Sequence, residues 1–446
     1  MTVMTRSFCL WSFLLGVLAT PVFAQTASTA GAFDTLFPSA GLEDRIDFWK
    51  MIFTRYGRNE VVLHDRDNFR LVYRAVTIPD GTPPRTQRRM LDNEERRLTQ
   101  AFEDLISIGP DSDRLSPTQA GLLATLKLAG VKPDPAALRK LKDNIHRQRG
   151  IREKFREGLV RSGRYLPELQ KIFVARGLPP ELALLPHVES SFDYAAYSSK
   201  GAAGIWQITR GTGKKHLKIG RHVDERLDPL RAAEAAASLL LENHRELGNW
   251  PLAITAYNQG KNGMLRAQAA HGSNINDIIE NYESRIFGFA GENFYAEFLA
   301  AVQIARNYEE HFPSLKLDSP LSFETVSLKS RVTGRQLAVR FGVNEATLRA
   351  YNPHLTRSFW RQGGIAPAGT TLRLPTGKGP TLARNEKPQA PPEQETRLKR
   401  YKVRRGDTLL KIARRFEVGV EDLMQANGIK GARIYLGQLL LIPLGS

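Results

Sequence analysis

One stretch, residues 177–212, constrains the fold of this 446-residue chain more than any other part of it. Pro179 and Pro180 favour the start of a helix, because the first residues of a helix donate no hydrogen bond within it. Apolar residues then recur at helical spacing and predict one buried face: Leu182, Leu185 and Val188. Glu189 follows at the end of that face, before two serines and a glycine-rich turn interrupt the helical pattern.

The position of Glu189 predicts a carboxyl group that is partly removed from water. Desolvation disfavours the ionised form of a carboxyl and raises its pKa. An acid that stays protonated near neutral pH is suited to general acid catalysis. A glutamate at a helix end is more often a solvated side chain or a cap, so this residue needs support from elsewhere in the chain.

That support comes from the order of three short motifs along the chain. They are Glu189-Ser190, Gly204-Ile205-Trp206-Gln207 and Ala256-Tyr257-Asn258-Gln259-Gly260. Together they resemble the lytic transglycosylase family, which shares the goose-type lysozyme fold, and within it the membrane-bound lytic murein transglycosylase D group. The resemblance covers about residues 177–308. It implies a mainly α, lysozyme-like catalytic domain.

The resemblance also implies a reaction, the cleavage of the β-1,4 bond between N-acetylmuramic acid and N-acetylglucosamine in peptidoglycan. In this family one glutamate protonates the glycosidic oxygen and then takes the proton of the muramic acid C6 hydroxyl, which closes on C1. The product is a 1,6-anhydro sugar, formed without water. The residue that matches this catalytic glutamate is Glu189.

Five further residues receive substrate-binding roles from the same resemblance. Ser190 and Gln207 are expected to position the substrate and Glu189 by hydrogen bonds. Tyr257 and Asn258 are expected to line the cleft, and Tyr295 to point its hydroxyl towards Glu189 from the last helix. Simpler alternatives stay open, because helical aromatic residues mostly pack in cores and an asparagine often ends a helix. Trp206, between two isoleucines, is predicted to be buried.

A second catalytic carboxyl is not evident in the sequence, although glycosidases commonly use two. Asp193 follows the end of the helix, and Asp224, Glu225 and Asp228 are expected in a surface loop. The acids of the next helix fall on its polar side: Glu234, Glu242 and Glu246. A single-acid mechanism fits this pattern, because a hydroxyl already tethered to the reacting sugar has a high effective concentration.

Two other functions remain open at this point. A muramidase on the same fold would use a water molecule as the nucleophile. A peptidoglycan-binding scaffold would have no catalytic activity. The histidines show no metal-ligand spacing, and we expect neither a metal nor a cofactor.

The beginning of the chain predicts export. Residues 1–24 combine Arg6, an apolar run and a small-residue cleavage site, as in a secretory signal peptide. An uncleaved anchor is the alternative. The only cysteine, Cys9, lies in the apolar run without the neighbours of a lipidated cysteine, so we expect an exported, periplasmic or envelope-associated protein that is soluble after cleavage.

The net charge is strongly basic. The chain has 64 Lys and Arg against 46 Asp and Glu, a formal charge of +18. Such a charge suits an anionic partner, but no zinc-finger, RRM or basic-zipper pattern supports nucleic acid. We therefore expect peptidoglycan glycan strands as the partner, with no nucleic acid and no stable membrane span.

The pattern divides the chain into six parts. Residues 25–145 are predicted to be mostly helical with a small β-hairpin, after a mobile leader at 25–40. Residues 146–315 form the catalytic domain, and 398–444 resemble a LysM module of βααβ order. The same apolar frame recurs 75 residues earlier, so 321–375 is predicted to be a degenerate LysM-like module whose sugar binding is in doubt. Residues 376–397, rich in Pro, Lys, Glu and Gln, are predicted to be a flexible linker.

Overall fold

The computed structural model describes residues 30–361, 364–378, 397–429, 431 and 434–444. Within these ranges the chain is mainly helical, with small antiparallel sheets. The predicted fold class, a mainly α catalytic region with small βααβ modules, is confirmed. Among the described residues, no helix combines the length and the apolarity needed to cross a membrane. The predicted signal peptide and nearly all of the predicted linker lie outside these ranges.

The N-terminal region consists of helices around a three-stranded sheet of order β2-β1-β3. Its elements are α1 (Ala30–Leu36), α2 (Glu43–Thr54), β1 (Glu60–Asp65), β2 (Val72–Thr77), α3 (Pro84–Ile108), α4 (Pro117–Leu128), α5 (Pro135–Asp143) and β3 (Ile145–Arg149). The predicted hairpin is β1–β2. The start of α4 is fixed by Ser116, which forms a capping box with Gln119.

Two expectations for this region are wrong. The sequence pattern of residues 135–162 predicts one helical segment, but β3 interrupts it and pairs with β1 from Val61 to Asp65. The leader expected to be mobile at 25–40 forms α1 in its described part. Phe33 and Phe37 of this leader are buried. The burial of two aromatic side chains stabilises the segment on the core, although the residues around them are small and polar.

The catalytic region is built almost entirely of helices. Its elements are α6 (Arg152–Ser162), α7 (Leu166–Ala175), a 3₁₀ helix (Pro180–Leu184), α8 (Pro186–Glu189), α9 (Arg210–Gly213), a second 3₁₀ helix (Glu225–Leu227), α10 (Pro229–Leu247), α11 (Trp250–Gln259), α12 (Lys261–His271), α13 (Ile275–Asn281), α14 (Phe289–Arg306) and α15 (Tyr308–His311). Helices α1 and α2 share one apolar core with these elements, whereas α3–α5 pack on the sheet around a separate core.

The central helix of this core is α14, which packs against α2, α8 and α11. Nearly every residue from 293 to 302 is buried. Phe37, in the N-terminal segment of residues 30–40, packs on Phe298, with ring centroids 5.7 Å apart. The N-terminal segment therefore completes the core around α14.

Two small modules follow, and both contain a strand, two helices and a strand in that order, to which the first module adds β5, α18 and β6. The first has β4 (Phe323–Ser327), β5 (Val332–Thr333), α16 (Gly334–Phe341), α17 (Glu345–Tyr351), α18 (Arg357–Trp360), β6 (Ile365–Ala366) and β7 (Thr371–Pro375). The second has β8 (Arg397–Lys402), α19 (Leu409–Arg415), α20 (Val420–Ala426) and β9 (Leu439–Leu444). In each module the first and last long strands pair in antiparallel fashion.

A buried asparagine occupies the same position in both modules. The Oδ1 of Asn352 accepts from the backbone N–H of Arg373 at 2.7 Å, and its Nδ2 donates to the carbonyl of the same residue at 2.8 Å. Asn427 forms the same pair of bonds with Leu441, both at 2.7 Å. The first module carries seven more residues between this asparagine and the paired strand, and α18 lies within them.

The first module is fixed to the catalytic region by a buried ion pair. Arg373 on β7 donates to both carboxylate oxygens of Asp228, at 2.9 and 2.7 Å, and Nδ1 of His354 lies 3.1 Å from Asp228. Burial alone would raise the pKa of Asp228, but Arg373 and His354 outweigh it and hold that pKa well below its usual range. Asp228 also caps α10 by accepting from two backbone N–H groups.

Candidate active site

Glu189 is the last residue of α8, at the end of a helical path that changes from 3₁₀ to α form. Its side chain is partly exposed, and the residues before it, Leu182 and Leu185, are fully buried as predicted. The chain then turns sharply, because Ser191 and Phe192 adopt left-handed backbone conformations with φ of +54° and +53°. Phe192 is buried beneath this turn.

Helix α6 supports the turn from below. A Cβ atom on Gly158 would lie 2.7 Å from the carbonyl oxygen of Ser191, so only glycine allows this approach. The guanidinium of Arg161 donates to the carbonyl of Ser191 at 2.8 Å and to that of Phe192 at 3.2 Å. The backbone that follows Glu189 is thus held at several points.

The three sequence motifs meet at two consecutive backbone carbonyls. Ser190 donates its hydroxyl hydrogen to the carbonyl of Ile205 at 3.0 Å. Tyr257 donates its phenolic hydrogen to the carbonyl of Trp206 at 2.8 Å. The first and third motifs therefore both bind the backbone of the second.

The second motif is rigid because of its glycine and its tryptophan. Gly204 has φ of +73°, and a Cβ atom there would collide with the carbonyl of Arg226. Trp206 is fully buried, as the sequence predicts, and stacks on Phe173 with centroids 5.4 Å apart. Its indole N–H donates to the carbonyl of Pro229 at 3.1 Å.

The predicted substrate-binding residues differ in their exposure. Gln207 is partly exposed, and its Nε2 donates to the carbonyl of Gly204 at 2.8 Å. Tyr257 is partly exposed and Asn258 is exposed, at the end of α11. Ser190 is buried, and its hydroxyl donates to the backbone carbonyl of Ile205. The binding roles of these residues remain predictions.

The expected orientation of Tyr295 is wrong. Its ring is fully buried, and its hydroxyl donates to the carbonyl of Pro38 at 3.0 Å, in the N-terminal segment. The sequence could place Tyr295 on the last helix, but it could not indicate that residues 30–40 would return and cover that face. Tyr295 therefore fixes the N-terminal segment and has no hydroxyl directed at Glu189.

Another residue of α14 lies near Glu189 instead. Glu297 is partly exposed, and its carboxyl acts on Glu189 electrostatically. Burial and the presence of Glu297 raise the pKa of Glu189 to about 8, and burial raises the pKa of Glu297 to about 8. Sequence reasoning missed Glu297. Its signal was a lone charge inside the apolar run from Phe294 to Val302.

The phenol of Tyr257 responds to the same environment. Burial, and then the charge of Glu189, raise the pKa of Tyr257 well above its ordinary value. A neutral phenol therefore borders the Glu189 carboxyl over the whole physiological pH range. The site thus combines two carboxyls and a phenol in surroundings that disfavour charge.

The other acids of the catalytic region have structural partners. Asp224 forms an ion pair with Arg226 at 2.7 Å, and Glu225 accepts from the backbone N–H of Lys218 at 2.7 Å. Together with Asp228, they are buried and not in a surface loop as expected. The loop is covered because the first LysM-like module packs on it. Val223 of the loop pairs with Leu355 of the module, and both lie in the apolar core of the module.

The histidine next to the site is structural. His187 is buried between Phe155 and Phe192, with ring centroids 5.3 and 4.6 Å away. Burial lowers its pKa to about 3, so the imidazole is neutral at neutral pH. In the ranges that the structure describes, no group of three or more His, Cys, Asp or Glu side chains is arranged to hold a metal ion.

Comparison with known proteins agrees with this arrangement. Residues 174–279 match the transglycosylase SLT domain family, and residues 401–443 match the LysM domain family. The chain is 30% identical over 283 residues to membrane-bound lytic murein transglycosylase D of Escherichia coli K12, and equally to that of Escherichia coli O6:H1. An autolysin of Enterococcus faecalis is 31% identical over 120 residues, which cover 27% of this chain and 15% of that protein.

These matches cover only part of this chain and only part of the related proteins. The match to the two transglycosylases covers 61% of this chain and spans 61% of their own length. The match to the SLT family contains Glu189 and all three motifs, but ends before α14 and Glu297. The chain carries a transglycosylase SLT domain and a LysM domain, and it is homologous to the membrane-bound lytic murein transglycosylase D of Escherichia coli.

Proposed function

We propose that this protein is a peptidoglycan lytic transglycosylase that cleaves the β-1,4 bond between N-acetylmuramic acid and N-acetylglucosamine and leaves 1,6-anhydro ends. One observation carries the proposal. Glu189 is a partly exposed carboxyl, protonated at neutral pH because its pKa is raised to about 8, at the point where the three motifs converge. A protonated acid at a fixed position is what cleavage of a glycosidic bond requires first.

In the proposed first step, Glu189 gives its proton to the glycosidic oxygen. The bond from this oxygen to C1 of the muramic acid breaks, and the N-acetylglucosamine leaves with a new hydroxyl group. In the second step the C6 hydroxyl oxygen of the same muramic acid bonds to C1, and its proton returns to Glu189. No water is consumed, and the enzyme ends in its starting protonation state.

The raised pKa of Glu189 serves both steps. A carboxyl with a pKa near the working pH holds the proton before the reaction, yet is basic enough to accept the second proton. Since the C6 hydroxyl is tethered to the reacting sugar, the attack needs only orientation and not the capture of a separate nucleophile. Gln207, the ring of Tyr257 and Asn258 are placed to provide that orientation.

Replacement of Glu189 by Gln tests this function. Glu189→Gln keeps the shape of the side chain and removes its proton, so release of soluble fragments from purified peptidoglycan should fall at least about 1,000-fold. The matched control is Glu168→Gln on α7, which loses only a surface ion pair with Lys171. Turnover by Glu189→Gln at the level of the control would refute the role of Glu189.

A hydrolytic muramidase is the second candidate, because Glu297 supplies a second carboxyl that could orient a water molecule. Burial raises the pKa of Glu297 to about 8, the same value as for Glu189, so this pKa does not separate the two reactions. Products that carry an ordinary reducing end would favour the muramidase.

Export and attachment to the cell wall complete the proposal. Residues 1–24 act as a signal peptide, and the LysM module at 398–444 holds the enzyme on glycan strands in the cell envelope. N-terminal sequencing of the secreted protein should begin at Gln25. Deletion of residues 398–446 should weaken binding to insoluble peptidoglycan more than turnover of short soluble glycans. Binding without turnover by the wild type would indicate a scaffold.

A further inference from the structure

Strand β8 and the segment that follows it concentrate positive charge on the second module. Residues 399–416 contain a single acid, Asp407, whose carboxylate accepts from the hydroxyl of Tyr401 and from the backbone N–H of Arg404, both within the module. In the part of the module that the structure describes, none of the cations of this segment forms an ion pair. All eight are exposed: Lys399, Arg400, Lys402, Arg404, Arg405, Lys411, Arg414 and Arg415.

The register of the sheet places two of these cations on its outer face. Arg400 lies opposite Leu441 and Lys402 lies opposite Leu439, whereas Tyr401 between them belongs to the apolar core of the module. Because successive side chains of a strand point to opposite faces, Arg400 and Lys402 project away from that core, about 7 Å apart along the strand. The outer face is therefore a positively charged surface.

The LysM frame does not need these cations for its fold. In the first module, Thr325 lies opposite Arg373 and Ser327 lies opposite Thr371, in the same register. The corresponding segment of that module, residues 324–341, has four Lys and Arg side chains, half as many as the second module. The two modules share their order of strands and helices, so the additional charge belongs to the surface of the second module and not to its architecture.

The equivalent sheet face of the first module is a docking surface. Arg373 corresponds to Leu441, because Asn352 bonds to the backbone of Arg373 as Asn427 bonds to that of Leu441. The side chain of Arg373 leaves the sheet away from the core and binds the carboxylate of Asp228 in the catalytic region. The frame thus uses this face to bind negative charge in one module and leaves it exposed in the other.

Exposed apolar side chains lie beside the cations of the second module. Leu439 on the outer face is 56% exposed, and Leu436 and Tyr435 just before it are 72% and 64% exposed. A Cβ atom on Gly437 would lie 3.7 Å from Cε of Lys402, so this segment runs directly along the charged strand. Cations next to exposed leucine and tyrosine side chains are typical of proteins that bind at the surface of a bilayer.

We propose that the outer sheet face of the second module binds an anionic lipid surface, with Arg400 and Lys402 at the phosphate groups and Leu436 and Leu439 at the boundary of the acyl chains. An anionic bilayer presents one sign of charge over a wide area, which matches a surface of cations without interspersed acids. The leucines add apolar burial to this attraction. The binding is peripheral and holds the enzyme at a membrane surface.

Sedimentation with lipid vesicles tests this proposal without any glycan, so its outcome is independent of the proposed cleavage reaction. The mature protein should bind vesicles of phosphatidylcholine that contain one-third phosphatidylglycerol, and should not bind vesicles of phosphatidylcholine alone. Binding should largely disappear at about 1 M salt, where the screening length is about 3 Å. Equal binding to the two kinds of vesicle, or binding to neither, would overturn the proposal.

Variants of the charged strand locate the surface. Arg400→Gln combined with Lys402→Gln should weaken binding about 30-fold, because an anionic surface attracts each cation separately. The matched control, Arg88→Gln combined with Arg89→Gln, removes two exposed cations from α3 and should bind like wild type. Arg400→Lys combined with Lys402→Arg keeps both charges and should also bind like wild type. Equal affinity of the two Gln variants, or a loss in the charge-conserving variant, would contradict a role for these charges.

The apolar part of the surface distinguishes a bilayer from an anionic glycan. Leu439→Thr keeps a residue that favours a strand, removes the exposed leucine and should weaken binding to the anionic vesicles several-fold. Binding of soluble peptidoglycan fragments, whose peptides carry carboxylates, should not change in this variant or in Arg400→Gln with Lys402→Gln. If the two cations were needed for the fragments and not for the vesicles, the face would be a glycan site and the proposal would be wrong.

Discussion

Arg373, in the first LysM-like module, binds both carboxylate oxygens of Asp228, which caps the longest helix of the catalytic region, α10. The pair is almost fully buried. The first module is therefore built into the catalytic region, unlike a module on a linker.

We predict that Arg373→Met destabilises the whole protein and not only this module. Loss of one partner from a buried ion pair costs about 3–5 kcal/mol, because the other charge stays buried without compensation. The control is Arg335→Met on the exposed surface of α16. The midpoint of chemical denaturation should be clearly lower for Arg373→Met than for Arg335→Met. Equal midpoints would show that the two units are not coupled.

Removal of two tyrosine hydroxyls should have different consequences. Tyr257→Phe leaves the carbonyl of Trp206 without its donor, so we expect a loss of about 1 kcal/mol and a several-fold lower kcat. Tyr295→Phe removes only the bond to Pro38, so stability should fall by a similar amount with kcat within twofold of wild type. Steady-state kinetics and thermal melts of both variants test this prediction. A larger loss of kcat for Tyr295→Phe would reinstate its expected role at the site.

The close contact between α6 and the turn after Glu189 predicts that a side chain at position 158 disturbs the site. Gly158→Ala places a methyl group against the carbonyl of Ser191, so we expect a loss of about 1–3 kcal/mol and a displaced Glu189 with lower kcat. Gly121→Ala on α4 is the control, because a Cβ atom there meets nothing within 4 Å and alanine favours the helix. Full activity of Gly158→Ala would mean that the turn is not held by this contact.

Two buried histidines predict lability to acid. Burial lowers the pKa of both His64 and His187 to about 3, against 6.5 for an exposed imidazole. Between these values the unfolded chain binds protons that the folded chain excludes. The contribution of each histidine to stability should therefore fall by about 1.4 kcal/mol per pH unit as the pH drops from 6.5 towards 3, whereas Glu189 and Glu297, whose pKa values are raised to about 8, contribute with the opposite sign above pH 4.5.

The variant His187→Phe isolates one of these contributions. Phenylalanine fits the aromatic neighbours of His187, Phe155 and Phe192, and cannot be protonated. The free energy of unfolding, measured in urea from pH 7 to pH 4, should decline less steeply for this variant than for wild type. Parallel curves would show that His187 does not titrate with unfolding.

Sequence reasoning succeeded where local signals were strong. The helix that ends at Glu189 and the burial of Trp206 each follow from spacing or composition over a few residues. The repeated LysM frame was visible for the same reason, because Asn352 and Asn427 fill equivalent positions.

The failures all depend on contacts between distant parts of the chain. Strand β3 exists because β1 is available to pair with it, and its own residues do not favour a strand. Tyr295 turns away from Glu189 because Pro38, 257 residues earlier, accepts its hydrogen bond. Glu297 was overlooked because its effect on Glu189 depends on the packing of α14 against α8, which the local sequence does not show.

Digestion of peptidoglycan in water enriched in oxygen-18 tests the central claim most directly. If Glu189 passes one proton out and takes one back while the C6 hydroxyl closes on C1, the muropeptides should be one water lighter than hydrolytic products and carry no heavy oxygen. Fragments that contain one oxygen-18 atom at a muramic acid reducing end would contradict this account and identify water as the nucleophile.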